Sequence, residues 1–242
     1  MPRDVAQKLA DAGGLEPGAR ILDVGAGTGR VAIAFAEIGY RVTALDPALR
    51  MLDEVRLKAH HCRVQLVAGE GGRLPFGTSL FDAVILARIL YLMADWTAVL
   101  REVYDVLKPG GFLFHEWGNG QAGEAWVQVR EKLRALFLDA GVETPFHPGA
   151  RSEAEVDDFL IERGFVRRER LSAGPGPCMT LHDFVGRIAA GEFSYVWNIP
   201  AHVQESCIPL LNQWCQDTFG LRQSFPMPAQ LEWTVYQKEQ LP

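Results

Sequence analysis

The chain has 242 residues, 48% of them hydrophobic and 22% charged, with a net charge of -6. That length can bury a full core without disulfides or metals, and the acidic balance disfavours a nucleic-acid backbone or an anionic membrane surface as partner. The densest cationic cluster is Arg167, Arg168 and Arg170 beside Glu169, and the four cysteines lie far apart with no C-x-x-C, so neither a basic stripe nor a metal site is expected.

In chain order, the first residues are polar and lack a secretory apolar stretch. No segment approaches ~18 consecutive apolar residues. A cytoplasmic location without membrane insertion is therefore expected. Residues 4–12 read as a short helix ending at Gly13-Gly14, and Pro17-Gly18 as a turn. Arg20–Val24 is an apolar run straight into glycines, hence a buried strand. A helix over 29–38 closes at Gly39, and Tyr40–Leu45 is a second strand ended by Asp46-Pro47. A helix over 48–59 and strands at Val64–Val67 and Phe81–Ala87 follow; the last is almost wholly apolar, as suits a central parallel strand. A helix over 95–107 stops at Lys108-Pro-Gly-Gly111, and Phe112–Trp117 is the fifth strand. This alternation implies a doubly wound α/β fold, a mostly parallel sheet with helices on both faces.

The regularity then breaks. The spacing predicts helices over 122–139, 152–163 (Ser152 and Glu155 as a capping box), 180–190 and 200–219, and strands at Val166–Leu171 and Leu231–Gln237. The seven strands fit one domain over 1–242. It comprises a cofactor-binding half at 1–118, helices and the penultimate strand at 119–172, a helical insertion or lid at 173–229 and the last strand at 230–242.

The segment Asp23-Val-Gly-Ala-Gly-Thr-Gly29 carries the chemistry. Gly25, Gly27 and Gly29 allow positive φ and let a ligand lie against backbone. Asp46 ends the second strand, beside the ligand crevice of a doubly wound sheet, where a carboxylate can accept both hydroxyls of a ribose. The spacing is G-x-G-x-G rather than the dinucleotide G-x-G-x-x-G, and Asp23 stands where a pyrophosphate would be repelled. A ligand with an ammonium or sulfonium charge explains that acid better. The competing reading is a loop acid that caps the turn and touches no ligand.

These residues resemble the class I, Rossmann-type S-adenosylmethionine-dependent methyltransferases, in the branch of ubiquinone and menaquinone biosynthesis. Besides the first motif and Leu45-Asp46, Glu70-Gly-Gly-Arg-Leu-Pro-Phe76, Ser79–Val84 and Val106–Gly111 are similar to the family's later motifs. The resemblance implies seven strands with the last antiparallel, and S-adenosylmethionine as cofactor with S-adenosylhomocysteine as product. It implies that the turn (Gly25, Ala26, Gly27, Gly29) passes under the cofactor, with Asp23 near its amino group and Asp46-Pro47 at its ribose. Glu70 and Gly71, where the family has Asp and Ala, would meet adenine. Met51 and Leu74 would flank it, or be ordinary core. Ala87 and Arg88 would close the methionine end. Two departures stand out. Only about 19 residues precede the first strand, too few for the family's full N-terminal lid at ~1.5 Å per helical residue. Either the pocket is more open, or the insertion or a second copy in a homodimer covers it. Arg88 replaces a small polar residue, and must face substrate or an acid to sit beside a sulfonium.

Methyl transfer from a sulfonium is an in-line displacement, and placing the nucleophile ~3–3.5 Å away can supply up to ~7–11 kcal/mol. A base is useful only for hydroxyl or carbon acceptors. His115 at the end of strand five is the leading candidate, against a structural histidine; Glu116, Tyr91, His147 and His182 are the others. Tyr91, Trp117, Tyr195 and Trp197 are expected to line a small, apolar or aromatic substrate. The aromatics of the insertion would otherwise form its own core. The rival functions are a macromolecular methyltransferase, a nicotinamide oxidoreductase and a cofactor-binding module without turnover.

Overall fold

The computed structural model describes residues 1–117, 124–143, 148–172, 178–193, 196–226 and 232–240. In chain order the elements begin α1 (Arg3–Ala12), β1 (Arg20–Val24), α2 (Ala32–Glu37), β2 (Arg41–Asp46), α3 (Leu49–Lys58), β3 (Val64–Ala68) and β4 (Phe81–Ala87). After a single 3-10 turn (Leu90–Leu92) come α4 (Trp96–Val106), β5 (Leu107–Glu116), α5 (Glu124–Asp139), α6 (Glu153–Glu162) and β6 (Phe165–Ser172). The remainder is β7 (Cys178–Thr180), α7 (Leu181–Ala189), α8 (Ala201–Thr218), β8 (Ser224–Pro226) and β9 (Glu232–Lys238).

The chain divides into two compact units, one of residues 1–118, 149–172 and 232–242, the other of residues 119–148 and 173–231. The expected insertion at 173–229 falls within the second unit, which also takes in α5. The helix α5 leaves the first unit because its inward stripe, Trp126, Val129, Leu133 and Phe137, shares one core with Leu181, Phe184, Ile188 and Leu211 of α7 and α8. Helical spacing reports that a face is buried, not what buries it.

The first unit is a seven-stranded sheet of order β3-β2-β1-β4-β5-β9-β6. The pairs β1–β2, β1–β4, β2–β3 and β4–β5 are parallel, and β9 runs antiparallel to both neighbours. One face carries Leu22, Val24, Val84, Leu86 and Leu113, covered by Val99 and Val103 of α4 and Val156 and Leu160 of α6. On the other, Phe35 of α2 stacks on Phe114 at 6.1 Å between ring centroids. On the first face, α4 and α6 each have their start fixed by a local cap. Asp95 accepts the Ala98 N–H before α4, and Ser152 Oγ accepts the Glu155 N–H before α6. Glu155 reaches back to the Arg151 N–H rather than to Ser152, so the expected capping box is shifted by one residue on its return arm.

The helix stops where expected, at Val106, but β5 begins at Leu107 rather than Phe112 and holds Lys108–Gly111 as a bulge. Phe81 pairs with Leu107 while Ala83 pairs with Phe112, so the Pro-Gly-Gly run is looped out of the ladder. At the sheet edge, β6 points Arg167 at Asp157, Arg168 at Gln237, and Arg170 at Glu153 and Glu232. The chain's densest basic cluster is thus spent on ion pairs and hydrogen bonds along an edge strand, where charge discourages edge-to-edge pairing.

The second unit packs α5, α7 and α8 beside a two-stranded ribbon, β7–β8, which pairs Met179 with Phe225 and which the sequence pattern did not announce. Its core takes in Phe193, Trp214, Phe219 and Phe225. An open recess of about 430 Å³ is lined by Trp126, Phe219, Phe225 and Pro226, with Glu124 and Gln128 at its border. No helix among the described residues is long and apolar enough to cross a membrane.

Candidate functional site

The sheet order puts the C-terminal ends of β3, β2, β1, β4 and β5 side by side, and with them the loops that carry residues 70, 46, 23–29, 88 and 115–117. The first loop is built by its glycines. At Gly25 φ is +70°, and a Cβ would come within 2.8 Å of Ile89 Cγ2, so a side chain is excluded both by conformation and by the close approach of the loop after β4. The N–H groups of Gly25 and Ala26 both donate to Leu45 O, at 2.8 and 3.0 Å, which ties the turn to the end of β2.

Asp46 completes that tie. One oxygen accepts the Gly27 N–H at 2.8 Å and the other the Ala48 N–H at 2.9 Å. Each carboxylate oxygen has a second lone pair, so two acceptor positions remain after the backbone bonds are made. Above Gly27 the space a Cβ would occupy is open to 4 Å. A fixed acid beside bare backbone fits a ribose next to an amide edge, and in that respect the residues suit the nucleoside cofactor expected from the sequence.

Asp23 is 1% exposed, and its Oδ2 accepts the Ala32 N–H of α2 at 3.0 Å. This is the contact of the competing reading, an acid that holds the turn to the helix. Burial pushes its carboxyl up to about 7, against the lowering effect of the Ala32 bond and of Arg30. Glu70 is exposed after β3, and its carbonyl accepts the Arg73 N–H. Gly71 is buried against Val24. Met51 is 40% exposed on α3, Pro47 is exposed, and Leu74 is buried in the core. Ala87 ends β4 half-buried.

Arg88 faces an acid. Its Nε donates to Glu116 Oε1 at 2.9 Å, and its backbone N–H donates to Glu116 O at 2.8 Å. Arg30 bonds the other oxygen of the same carboxylate. Glu116 is fully buried, so it is a structural counter-charge rather than a base open to substrate. Arg88 sits at φ +62°, a left-handed conformation that costs a non-glycine residue on the order of 1 kcal/mol. Sequence reasoning missed Arg30, which simply falls within the helix expected over 29–38. The pairing of an acid with the residue after a glycine turn is a long-range signal that spacing does not carry.

On the opposite face of β5, His115 is 1% exposed, and its buried Nδ1 has no hydrogen-bond partner among the described residues. Burial alone drives its pKa down to about 4, so the imidazole is neutral at pH 7. Its ring lies 6.1 Å from Trp117, which lies 5.8 Å edge-on to Tyr91. The segment after residue 147 is pinned beside this group: Gly149 and Ala150 donate to the carbonyls of Tyr91 and Leu90, and a Cβ at Gly149 would fall 2.1 Å from Leu90 O. His182 is exposed on α7 of the second unit. Trp197, also of that unit, is 66% exposed with its indole N–H on Gly191 O. Tyr195 and His147 lie outside the described residues. Among the described residues no group of three His, Cys, Asp or Glu side chains is arranged to hold a metal ion.

Residues 22–115 match the family model described as a methyltransferase domain. The chain is 36% identical over 135 residues to the malonyl-[acyl-carrier protein] O-methyltransferase of Serratia marcescens, covering 53% of this chain and 51% of that one. It is 38% identical over 153 residues to the demethylmenaquinone methyltransferase of Beutenbergia cavernae, covering 63% and 60%. The chain thus spans less than two thirds of the length of these curated relatives. A SAM-dependent methyltransferase structure from Methanosarcina mazei superposes with a TM-score of 0.59 at 16% identity, over 94% of this chain and 95% of that one. A Bacillus halodurans structure, given provisionally as a methyltransferase, reaches 0.69 at 20% identity, over 98% and 99%. At such identities the structures speak for the fold, which is the Rossmann-like class I methyltransferase fold.

Proposed function

We infer, from a methyltransferase domain over residues 22–115 set in a class I fold, that the chain transfers a methyl group from S-adenosylmethionine to a small apolar or aromatic molecule. The observation that carries this reading is Asp46, whose two oxygens each hold a backbone N–H of the surrounding loops and keep a lone pair for a sugar hydroxyl. When bound, the cofactor supplies an electrophilic methyl on a sulfonium. The chain's part is then to bind and to align.

Asp46 and Pro47 hold the ribose, the turn from Gly25 to Gly29 lies under the nucleoside, and Glu70, Gly71 and Met51 border the adenine. Asp23, buried beneath the turn, balances the ammonium electrostatically. Ala87 and Arg88 close the far end. His115, Tyr91 and Trp117 receive the acceptor. A neutral imidazole with a buried, unpartnered nitrogen is suited to hydrogen-bond an acceptor hydroxyl; with its basicity depressed by burial, it orients more than it deprotonates. The aromatic pair beside it supports a flat, apolar acceptor, as does similarity to proteins named for demethylmenaquinone.

Calorimetry with S-adenosylmethionine, S-adenosylhomocysteine and NAD tests the donor. The first two bind and NAD does not, and Asp46→Ala weakens both about 100-fold, the loss of two charge-assisted hydrogen bonds. No affinity for either nucleoside, or full affinity in Asp46→Ala, overturns the reading. Label transfer into quinols, phenols and amines then identifies the acceptor class.

A further inference from the structure

The sheet has two edges, β3 and β6, and they are built differently. The β6 edge carries Arg167, Arg168, Glu169 and Arg170, charge that resists pairing with another chain. The β3 edge reads Val-Gln-Leu-Val-Ala, with no charge and no proline. None of its residues is buried: Gln65 and Ala68 are exposed, and Val64, Leu66 and Val67 are half-buried. The bond from the Gly69 N–H to Asp46 O fixes the phase of this backbone. Polar groups alternate in side along a strand, so Gly69, Val67 and Gln65 turn toward β2. Val64, Leu66 and Ala68 therefore turn their N–H and C=O groups outward, where no strand among the described residues meets them.

That outward set is self-complementary. In an antiparallel pair about a two-fold axis, the residue at the axis faces its own copy. A register centred on Leu66 sets Leu66 opposite Leu66, and Val64 opposite Ala68, of a second copy. All of these pairs are doubly hydrogen-bonded, because every member points outward. Centres on Gln65 or Val67 keep the phase but leave Ala68 or Val64 without a partner in the opposing strand. The ends agree as well. Arg63 before the strand and Glu70 after it are both exposed, and antiparallel pairing brings the cationic start of each strand toward the acidic end of the other.

We propose that β3 is a homodimer interface, on which a second copy of this chain pairs antiparallel, centred on Leu66, and continues the sheet. The two-fold axis stands perpendicular to the sheet, so the strand ends that carry Gly25–Gly29 and Asp46 point opposite ways in the two copies. A second copy held in this way extends the sheet rather than closing over its partner's strand ends. The interface stands independently of any reading of the cofactor.

Sedimentation velocity on the full chain tests the state. Between about 1 and 100 μM the mass is expected to shift from one chain toward two, as suits an interface at the small end of the specific range. Val64→Pro removes an outward N–H at the first strand position and leaves the β2 ladder intact, and Leu66→Lys sets like charges face to face. Each weakens association at least about tenfold, with thermal midpoints showing that the variants are folded. Oxidative cross-linking in a Cys178→Ser background reads the register. Leu66→Cys forms a disulfide with its own copy, since directly paired outward residues lie about 5.5 Å apart between Cα atoms, within disulfide reach. Gln65→Cys does not, because it faces Val67 of the partner. A single chain at every concentration overturns the proposal. So does a dimer that both Val64→Pro and Leu66→Lys leave intact, or cross-linking as ready at Gln65→Cys as at Leu66→Cys. The cross-link needs no weakened variant, so it decides the matter even where Leu66→Lys fails to fold.

Discussion

The two units bury different things. Every buried polar or charged side chain among the described residues, from Asp23, Thr43 and Asp46 to His115, Glu116, Thr234 and Lys238, belongs to the sheet unit. The other unit buries aliphatic and aromatic groups and the thiols Cys207 and Cys215, on helices with apolar inner stripes. Desolvating a charge is costly unless something nearby compensates for it, whereas apolar burial is favourable wherever it fits. Four of the buried polar groups, Asp23, Asp46, His115 and Glu116, stand at or beside the C-terminal ends of their strands. Stability alone does not require them there. Their placement separates a body packed from apolar groups from a sheet end where polar groups are desolvated together.

The largest effect tests the packed unit. Phe137→Ala removes a fully buried ring from its core and is expected to cost about 3–5 kcal/mol in urea unfolding, with the affinity of the folded protein for S-adenosylhomocysteine unchanged. A matching loss of affinity would break the contrast by giving the helical unit a share in the cofactor site.

The next effect lies in the sheet unit and depends on pH. His115 has a folded pKa of about 4, below its unfolded value, so its contribution is present above pH 6.5 and is lost as pH falls through 4. Asp23 has a folded pKa of about 7, above its unfolded value, so its contribution is present below pH 3.8 and is lost as pH rises through 7. Between pH 7 and pH 5 the two oppose each other at about 2 kcal/mol each. Relative to the wild type, His115→Phe should therefore gain stability on acidification over that range, and Asp23→Asn should lose it. Parallel pH profiles for both variants and the wild type would show that neither group titrates differently on folding.

The smallest effects compare like with like. Ser152→Ala removes an N-cap in the sheet unit and Thr180→Ala one in the helical unit, each worth about 1 kcal/mol. Calorimetric scans then sharpen the contrast. If each substitution shifts its own transition, the units unfold separately; if both move one transition equally, they unfold together.

Much of the sheet unit was legible in the sequence because its signals are local. The apolar run of β4, the glycines after β1 and the acid after β2 each identify themselves within a few residues. Alternation of strands and helices then orders them, since right-handed crossovers leave few arrangements. What escaped depends on partners far away in sequence. The two arginines on Glu116 come from 86 and 28 residues upstream, and no periodicity links them. Apolar spacing identified the buried stripe of α5 but not its partners in α7 and α8. The Pro-Gly-Gly run before Phe112 does end a helix, but nothing local shows that β5 already begins at Leu107 and absorbs the run as a bulge, because that depends on pairing with Phe81 of β4.

The position of β9 has a consequence for how the chain is made. Among the described residues it is the last strand in sequence, yet it lies between β5 and β6, and β6 has no other neighbour in the sheet there. A nascent polypeptide leaving the ribosome thus presents five strands with the β5 flank open as well as the β3 edge, while the sixth waits unattached. Until residues 232–238 emerge, that flank can recruit another nascent chain as readily as its own. Completion of the sheet is therefore a late, long-range event, and premature termination upstream of β9 would release a species prone to aggregate.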